Sequence, residues 1–134
     1  MRVFLTGSLG YVGTVLEELL QKENFEVVGC DVGYFPKSLE DSKNENFLKK
    51  DIREVTSDDL KGIDAICHLA GLSNDPLGEI NERLTYTINY ETTIKLAKIA
   101  KSVGVKQFIF SSSCSSYGAN ENVVDEKSEL SPLT

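Results

Sequence analysis

The eight residues Thr6 to Gly13, ThrGlySerLeuGlyTyrValGly, constrain this chain more than any other stretch. They follow a short apolar run, Val3, Phe4 and Leu5, and lead at once into a helical pattern. A buried parallel strand that stops at a Gly-rich turn aims the next helix's N-terminus, with its free N–H groups and positive dipole end, at whatever lies above the sheet. A pyrophosphate fits there. Gly7 permits the tight turn, Gly10 has no side chain to hold a phosphate away, and Gly13 lets the helix pack on the strand. Three glycines also describe an ordinary loop. Their place between a strand and a helix is what makes them a binding signature.

The next strand tests that expectation. Glu26, Val27, Val28, Gly29, Cys30 and Asp31 form a second apolar run ending in a carboxylate, 18 residues beyond Gly13. An acid that holds a ribose is expected about 20 residues on. The plainer alternative is that Asp31 ends the strand and opens a turn with Gly33.

With 134 residues, 40% of them hydrophobic and 26% charged, the chain has the size and balance of one soluble globular domain with a real core. The apolar start contains Gly7 and Gly10 and leads into a patterned helix, unlike a signal peptide, and no run approaches transmembrane length. Cys30, Cys67 and Cys114 show no CxxC spacing and read as reduced thiols, mostly packed, which points to the cytoplasm. A net charge of −7 without a long basic run argues against nucleic-acid or anionic-membrane partners. Backbone N–H groups can still bind a small anion.

Along the chain, Val12, Leu16, Leu19 and Leu20 recur at helical spacing, with Glu17, Glu18, Gln21 and Lys22 on the other face, and the helix closes near Asn24. Residues 33–45 are polar, include Pro36 and read as a surface loop. Phe47 and Leu48 form a short third strand ending at Lys50 and Asp51, and Ile52 to Leu60 carries a brief helical pattern. Asp58 and Asp59 have no His or Cys near them and read as capping or solvated residues rather than a metal pair; no metal is expected anywhere. Asp64 to Leu69 is a fourth strand closed by Ala70 and Gly71, small residues that let a ligand lie against the backbone. The longest helix runs from about Ile80 to Val103, with Ile80, Leu84, Ile88, Leu96, Ile99, Ala100 and Val103 on one stripe and Gly104 as its cap. Phe108, Ile109 and Phe110 form a fifth strand that releases a Ser-rich cluster, Ser111 to Gly118; residues 119–134 are polar and lack a core pattern.

Alternating strands and helices predict an α/β fold, a parallel sheet whose ligands lie beyond the carboxyl ends of its strands. Gly7 to Gly13, Asp31, Asp51, Ala70 with Gly71, and Ser111 to Ser113 follow the five strands in turn. Some of these have plain readings too. The serines can be a loop, Asn89 a solvated helix position, and His68, the only His, a packed and hydrogen-bonded residue rather than a catalyst.

Together these residues resemble the extended short-chain dehydrogenase/reductase family, and within it the NAD-dependent nucleotide-sugar epimerases and dehydratases of the UDP-glucose 4-epimerase type. The resemblance rests on ThrGlyxxGlyxxGly at Thr6 to Gly13, Asp31, AspIle at Asp51 and Ile52, HisLeuAlaGly at His68 to Gly71, Asn89, and SerSerSerxxxTyrGly at Ser111 to Gly118, and it covers the whole chain. It implies a Rossmann-type sheet of order 3-2-1-4-5 with helices on both faces, and NAD as cofactor. Gly7, Leu9, Gly10, Tyr11, Val12 and Gly13 would line the pyrophosphate loop. Asp31 would hold the adenosine ribose, Asp51 and Ile52 would border the adenine, Leu69, Ala70 and Gly71 would lie along the cofactor, and Ser111 would approach the nicotinamide. Asn89 would tie its helix to the active-site side. Ser113 matches the family's catalytic Ser, and the implied chemistry is hydride transfer between a sugar carbon and NAD, in a homodimer acting on a nucleotide sugar.

Two departures bear on the subfamily: Ser73 stands where some epimerases have Lys, and Ser116 where many have an aliphatic residue. The family's TyrxxxLys pair follows the fifth-strand serines, and residues 1–134 contain none; the fourth residue after Tyr86 is Tyr90, and after Tyr90 it is Ile94. The chain is therefore expected to be the N-terminal, NAD-binding part of such an enzyme and to turn over no sugar nucleotide alone. The competing expectation is a dinucleotide-binding sensor module without chemistry.

Overall fold

The computed structural model describes residues 1–34, 44–73, 81–119 and 122–132. Within them are β1 (Arg2–Thr6), α1 (Tyr11–Lys22), β2 (Glu26–Asp31), β3 (Phe47–Lys49), β4 (Ala65–His68), α2 (Glu82–Tyr86), a π turn (Thr87–Glu91), α3 (Thr92–Ser102) and β5 (Gln107–Phe110). Short 3-10 turns lie at Ile52–Glu54 and Cys114–Tyr117. The five strands are all parallel and lie in the order β3-β2-β1-β4-β5, the expected Rossmann-type arrangement.

Register sorts the side chains to the two faces, because successive residues of a strand point to opposite sides. Val28, Phe4, Ile66 and Phe108 are neighbours across four strands and share one face. Phe4 and Ile66 are wholly buried there and join Leu96 and Ala100 of α3, together with Ile52, Val55, Leu60 and Ile63, in the main core. Gly29 points to the opposite face, where α1 packs: a methyl group on it would sit 3.2 Å from the Glu17 carboxylate. Helices thus cover both faces.

Both long helical segments close alike. After α1 the amides of Asn24 and Phe25 bond to Gln21 O and Leu20 O, with Asn24 at φ +62°; after α3 the amides of Gly104 and Val105 bond to Lys101 O and Ala100 O, with Gly104 at φ +84°. Each is a Schellman closure around one left-handed residue.

Three expectations need correction. The face of α1 turned to the sheet is centred on Gly13 and Glu17, while Val12 and Leu19 are 58% and 53% exposed. Close approach of the helix at Gly13 rotates Glu17 inward, where Asn44 Nδ2 donates to its carboxylate and to Val27 O. The helical pattern from Ile52 to Leu60 yields only one 3-10 turn, because Val55 is extended and Asp59 instead binds Lys50 Nζ and the Thr56 amide and hydroxyl. Asp58 pairs with Lys61. The long helix is interrupted by the π turn, and Leu84 and Val103 of its expected stripe are exposed. Ile80, Pro36 and most of the loop between β2 and β3 lie outside the described residues.

Candidate dinucleotide site

The strands run parallel, so their carboxyl ends form one edge, and every candidate residue stands on it. Gly7 to Val12 follow β1, Asp31 ends β2, Asp51 and Ile52 follow β3, Leu69 to Gly71 follow β4, and Ser111 to Ser113 follow β5.

The glycine turn is the tightest part of this edge. Gly7, at φ +71°, donates its amide to Cys30 O at 2.8 Å, and a Cβ on it would meet Ala70 N at 2.9 Å. A Cβ on Gly13 would fall 2.0 Å from Gly7 O, so only hydrogen fits. Gly10 opens α1 without any side-chain cap. The first amides of a helix have no intrahelical partner, and here no side chain caps them at the positive end of a 12-residue helix. Leu9 is buried beneath the turn, whereas Tyr11 is 96% exposed at the helix start.

Asp31 closes the site on one side. Its carboxylate accepts the Leu9 amide at 3.2 Å through Oδ2 and the Gly33 amide at 2.8 Å through Oδ1, so it ends the strand in a turn with Gly33 while lying against the glycine loop. Asp51 is committed elsewhere; its carboxylate takes the Arg53 amide, Nε and Nη2, and those bonds hold its pKa below the usual value. Ile52 beside it is buried.

Across the turn, Leu69 and Ala70 donate their amides to Thr6 Oγ1, each at 3.2 Å. Asn89 holds the same segment from the helix side: Oδ1 accepts the Leu72 amide and Nδ2 donates to Leu72 O, both at 2.8 Å. Asn89 is therefore a tie, not a solvated position. His68 is wholly buried and bonded at both nitrogens, to Thr6 Oγ1 and Thr93 Oγ1. Burial lowers its pKa to about 4, so it is neutral.

On the far side the Ser111 amide bonds to His68 O. Ser113 is extended and exposed, and its Oγ accepts the Ser115 amide at 3.2 Å, capping the turn Cys114–Tyr117. The serines thus form an ordered turn. In the strand order Asp51 and Ser113 follow the two outer strands, β3 and β5, each two places from β1. Among the cysteines Cys30 is buried, Cys67 half-buried and Cys114 exposed, all with free thiols. Among the described residues no helix is long and apolar enough to cross a membrane.

The motif reading includes Thr6 as the start of the glycine signature but gives it no role, and it gives none to Thr93. The available signals were that Thr6 opens the glycine turn and that Thr93 lies four residues after Asn89, one helical turn on.

An uncapped helix start, a cradle only glycine fits and an acid at the end of the second parallel strand define a dinucleotide-binding domain of Rossmann type. The chain belongs to the NAD dependent epimerase/dehydratase family, whose model matches residues 3–134. It is 30% identical to an uncharacterized UDP-glucose epimerase, YtcB, of Bacillus subtilis, over all of this chain and 46% of that protein. It is 33% identical to a UDP-glucose 4-epimerase sequence of Klebsiella pneumoniae, over 88% of this chain and 93% of that one. Among solved structures, a UDP-glucose-4-epimerase of Stenotrophomonas maltophila, with bound NAD and formylated UDP-arabinopyranose, superposes with a TM-score of 0.91 at 25% identity. All of this chain and 44% of that one are covered. The chain therefore spans less than half the length of YtcB and of that solved structure.

Proposed function

We propose that this chain is the NAD-binding part of a nucleotide-sugar epimerase or dehydratase that works by hydride transfer between a sugar carbon and NAD. The observation that carries this reading is the uncapped start of α1, bordered by the Asp31 carboxylate and walled by Ala70. Bound NAD supplies a hydride acceptor, and in its reduced form a donor. The chain's own residues bind and orient. The amides that open α1, those of Tyr11 and Val12, would receive the pyrophosphate, Asp31 would accept from the ribose hydroxyls, and Ile52 with Asp51 would border the base. Leu69, Ala70 and Gly71 line the path toward Ser111.

Ser113 Oγ accepts from Ser115, which leaves its own hydrogen free to meet a sugar oxygen. Residues 1–134 hold no TyrxxxLys pair to take the hydroxyl proton. A lone Tyr, with a reference pKa of about 10, is a poor base near neutrality. In this reading the 134 residues bind the cofactor and the proton acceptor lies elsewhere in the enzyme. Tyr86 and Tyr90, with ring centroids 5.0 Å apart, and Ile94 give the long helix an exposed apolar face suited to a homodimer contact.

Titration calorimetry with NAD, followed by incubation with NAD and a panel of UDP- and dTDP-sugars, tests both parts. The expected result is heat of binding without reduced cofactor or new sugar. Absence of binding overturns the cofactor site. Turnover above the no-protein control means that a residue within 1–134 is the base.

A further inference from the structure

The hydrogen bonds around His68 can be given directions by counting protons. Thr93 Oγ1 lies 2.7 Å from Asn89 O, which can only accept, so the one hydroxyl hydrogen of Thr93 is used there. His68 Nε2, 2.9 Å from the same oxygen, must then donate. A neutral imidazole that donates from Nε2 has a bare Nδ1, and Thr6 Oγ1, at 2.7 Å, gives its hydrogen to that nitrogen. The lone pairs of Thr6 Oγ1 remain for the amides of Leu69 and Ala70. Every donor and acceptor is satisfied. The opposite tautomer would place a third N–H donor on Thr6 Oγ1, strand the Thr6 hydrogen, and face Thr93 with a nitrogen that needs the hydrogen already given to Asn89 O.

We propose that His68, fixed as its Nε2–H tautomer, is a positioning residue for the dinucleotide site, coupling the glycine-turn strand to the π turn of the long helix and so setting the backbone of Leu69 to Leu72. This rests on the reading of that segment as a wall of the cofactor site.

The geometry gives the coupling its reach. Thr6 and His68 are register neighbours on β1 and β4, and Phe110, the next neighbour on β5, stacks on the imidazole at 5.6 Å. Hydrogen bonds at both nitrogens and the Phe110 ring hold the imidazole from three sides. On the helix side, Thr93 bonds to the carbonyl of Asn89, and the Asn89 side chain clamps Leu72 at both backbone atoms. The π turn, Thr87–Glu91, inserts the extra residue that brings Asn89 to that clamp, and the Thr92 hydroxyl takes up the carbonyl of Thr87. One end of the Leu69 to Leu72 segment hangs on Thr6 and the other on Asn89; His68 joins the two supports.

The chain has a single His, so its imidazole is unambiguous in a spectrum. Long-range proton–nitrogen correlation on the ¹⁵N-His-labelled 134-residue chain near pH 7 is expected to show one neutral Nε2–H form. An Nδ1–H form, a mixture or a charged ring overturns the proposal. Thr93→Val keeps the shape and removes the hydroxyl; it is expected to broaden or shift the tautomer, to speed hydrogen exchange at the Leu69, Ala70 and Leu72 amides, and to weaken NAD about ten-fold, the effect of one lost hydrogen bond. Thr93→Ser is expected to restore all three. If Thr93→Val melts earlier yet leaves exchange at Leu69 to Leu72 and NAD affinity unchanged, His68 is only a packing residue and the proposal falls. If the unaltered chain binds no NAD, the cofactor reading fails, while the tautomer and the exchange rates still decide whether His68 sets this segment.

Discussion

Asp31 reaches back across 22 positions of sequence to accept the amide of Leu9, so the end of the second strand and the inside of the glycine turn are fixed to one another. In the proposed cofactor site this carboxylate is the group that would meet the outer ribose of the dinucleotide. Val32, Gly33 and Tyr34 follow it, with no Arg to offset a second negative group.

A phosphate on that ribose would face Asp31 with like charge, so NAD is expected to bind at least about ten-fold tighter than NADP, a difference of roughly 1.4 kcal/mol. Asp31→Asn should narrow the gap by relieving the repulsion. Calorimetric titrations of both proteins with both cofactors check this, and equal or tighter NADP binding would remove Asp31 from the role.

Gly13→Ala is expected to destabilise the chain by about 3 kcal/mol or more, because the new carbon would lie 2.0 Å from Gly7 O and either helix or turn must move. Gly104→Ala should cost only about 1 kcal/mol, since its left-handed φ is strained but nothing stands within 4 Å. Urea denaturation of the two variants ranks them. A small loss at Gly13 would mean that α1 does not sit as close to β1 as described.

Two buried groups give stability opposite slopes with pH. Glu17 has its pKa raised by burial, with the Asn44 bond pulling the other way, so its contribution is full below the unfolded value of 4.5 and is lost as pH rises through the folded value. Glu17→Gln should therefore be more stable than the parent chain at pH 7, with the advantage closing toward pH 4.5. Lower stability of Glu17→Gln at pH 7 would show the carboxylate to be favourable as an anion.

His68 runs the other way. Its pKa falls from 6.5 to about 4, so its stability contribution is complete above 6.5 and declines by on the order of 3 kcal/mol as pH drops toward 4. An imidazole proton titration by NMR should show the folded form neutral at pH 5.5. Protonation at pH 6 or above would contradict its burial.

In a full-length enzyme containing this segment, Ser113→Ala should lower kcat by about a hundred-fold or more while changing NAD affinity little, as expected for a group that assists proton transfer at the reacting hydroxyl. Ser112→Ala should be milder. The reverse ranking would shift the assignment within the serine cluster by one place.

The parts of the fold readable in advance were those dictated by short-range pattern. Apolar runs such as Val3 to Leu5 mark strands because the interior of a parallel sheet is buried on both faces, and Gly104 marks a helix end because it tolerates a left-handed backbone. The tight glycine turn and the place of Asp31 at the end of β2 were legible for a similar reason: a close strand-to-helix turn needs glycines at fixed spacing. The inward turn of Glu17 was not, because its cause is a distance, Gly13 against Gly7, together with a partner, Asn44, 27 positions away. Nor was the π turn. Its stabilising bonds come from Thr92, Asn89 and Leu72, and only the tertiary arrangement tells them from ordinary helix and loop residues.

All five strands point their carboxyl ends at the site, which puts the amino terminus on the opposite rim. Met1 is exposed there, next to Asp64, whose carboxylate accepts the Arg2 amide, and the five residues of β1 separate it from the glycine turn by roughly 17 Å of extended backbone. An affinity tag, a fluorophore or a surface tether fused ahead of Met1 thus leaves the dinucleotide edge facing solution. Immobilised through that end, the chain presents the glycine-turn edge outward, the orientation a binding sensor requires.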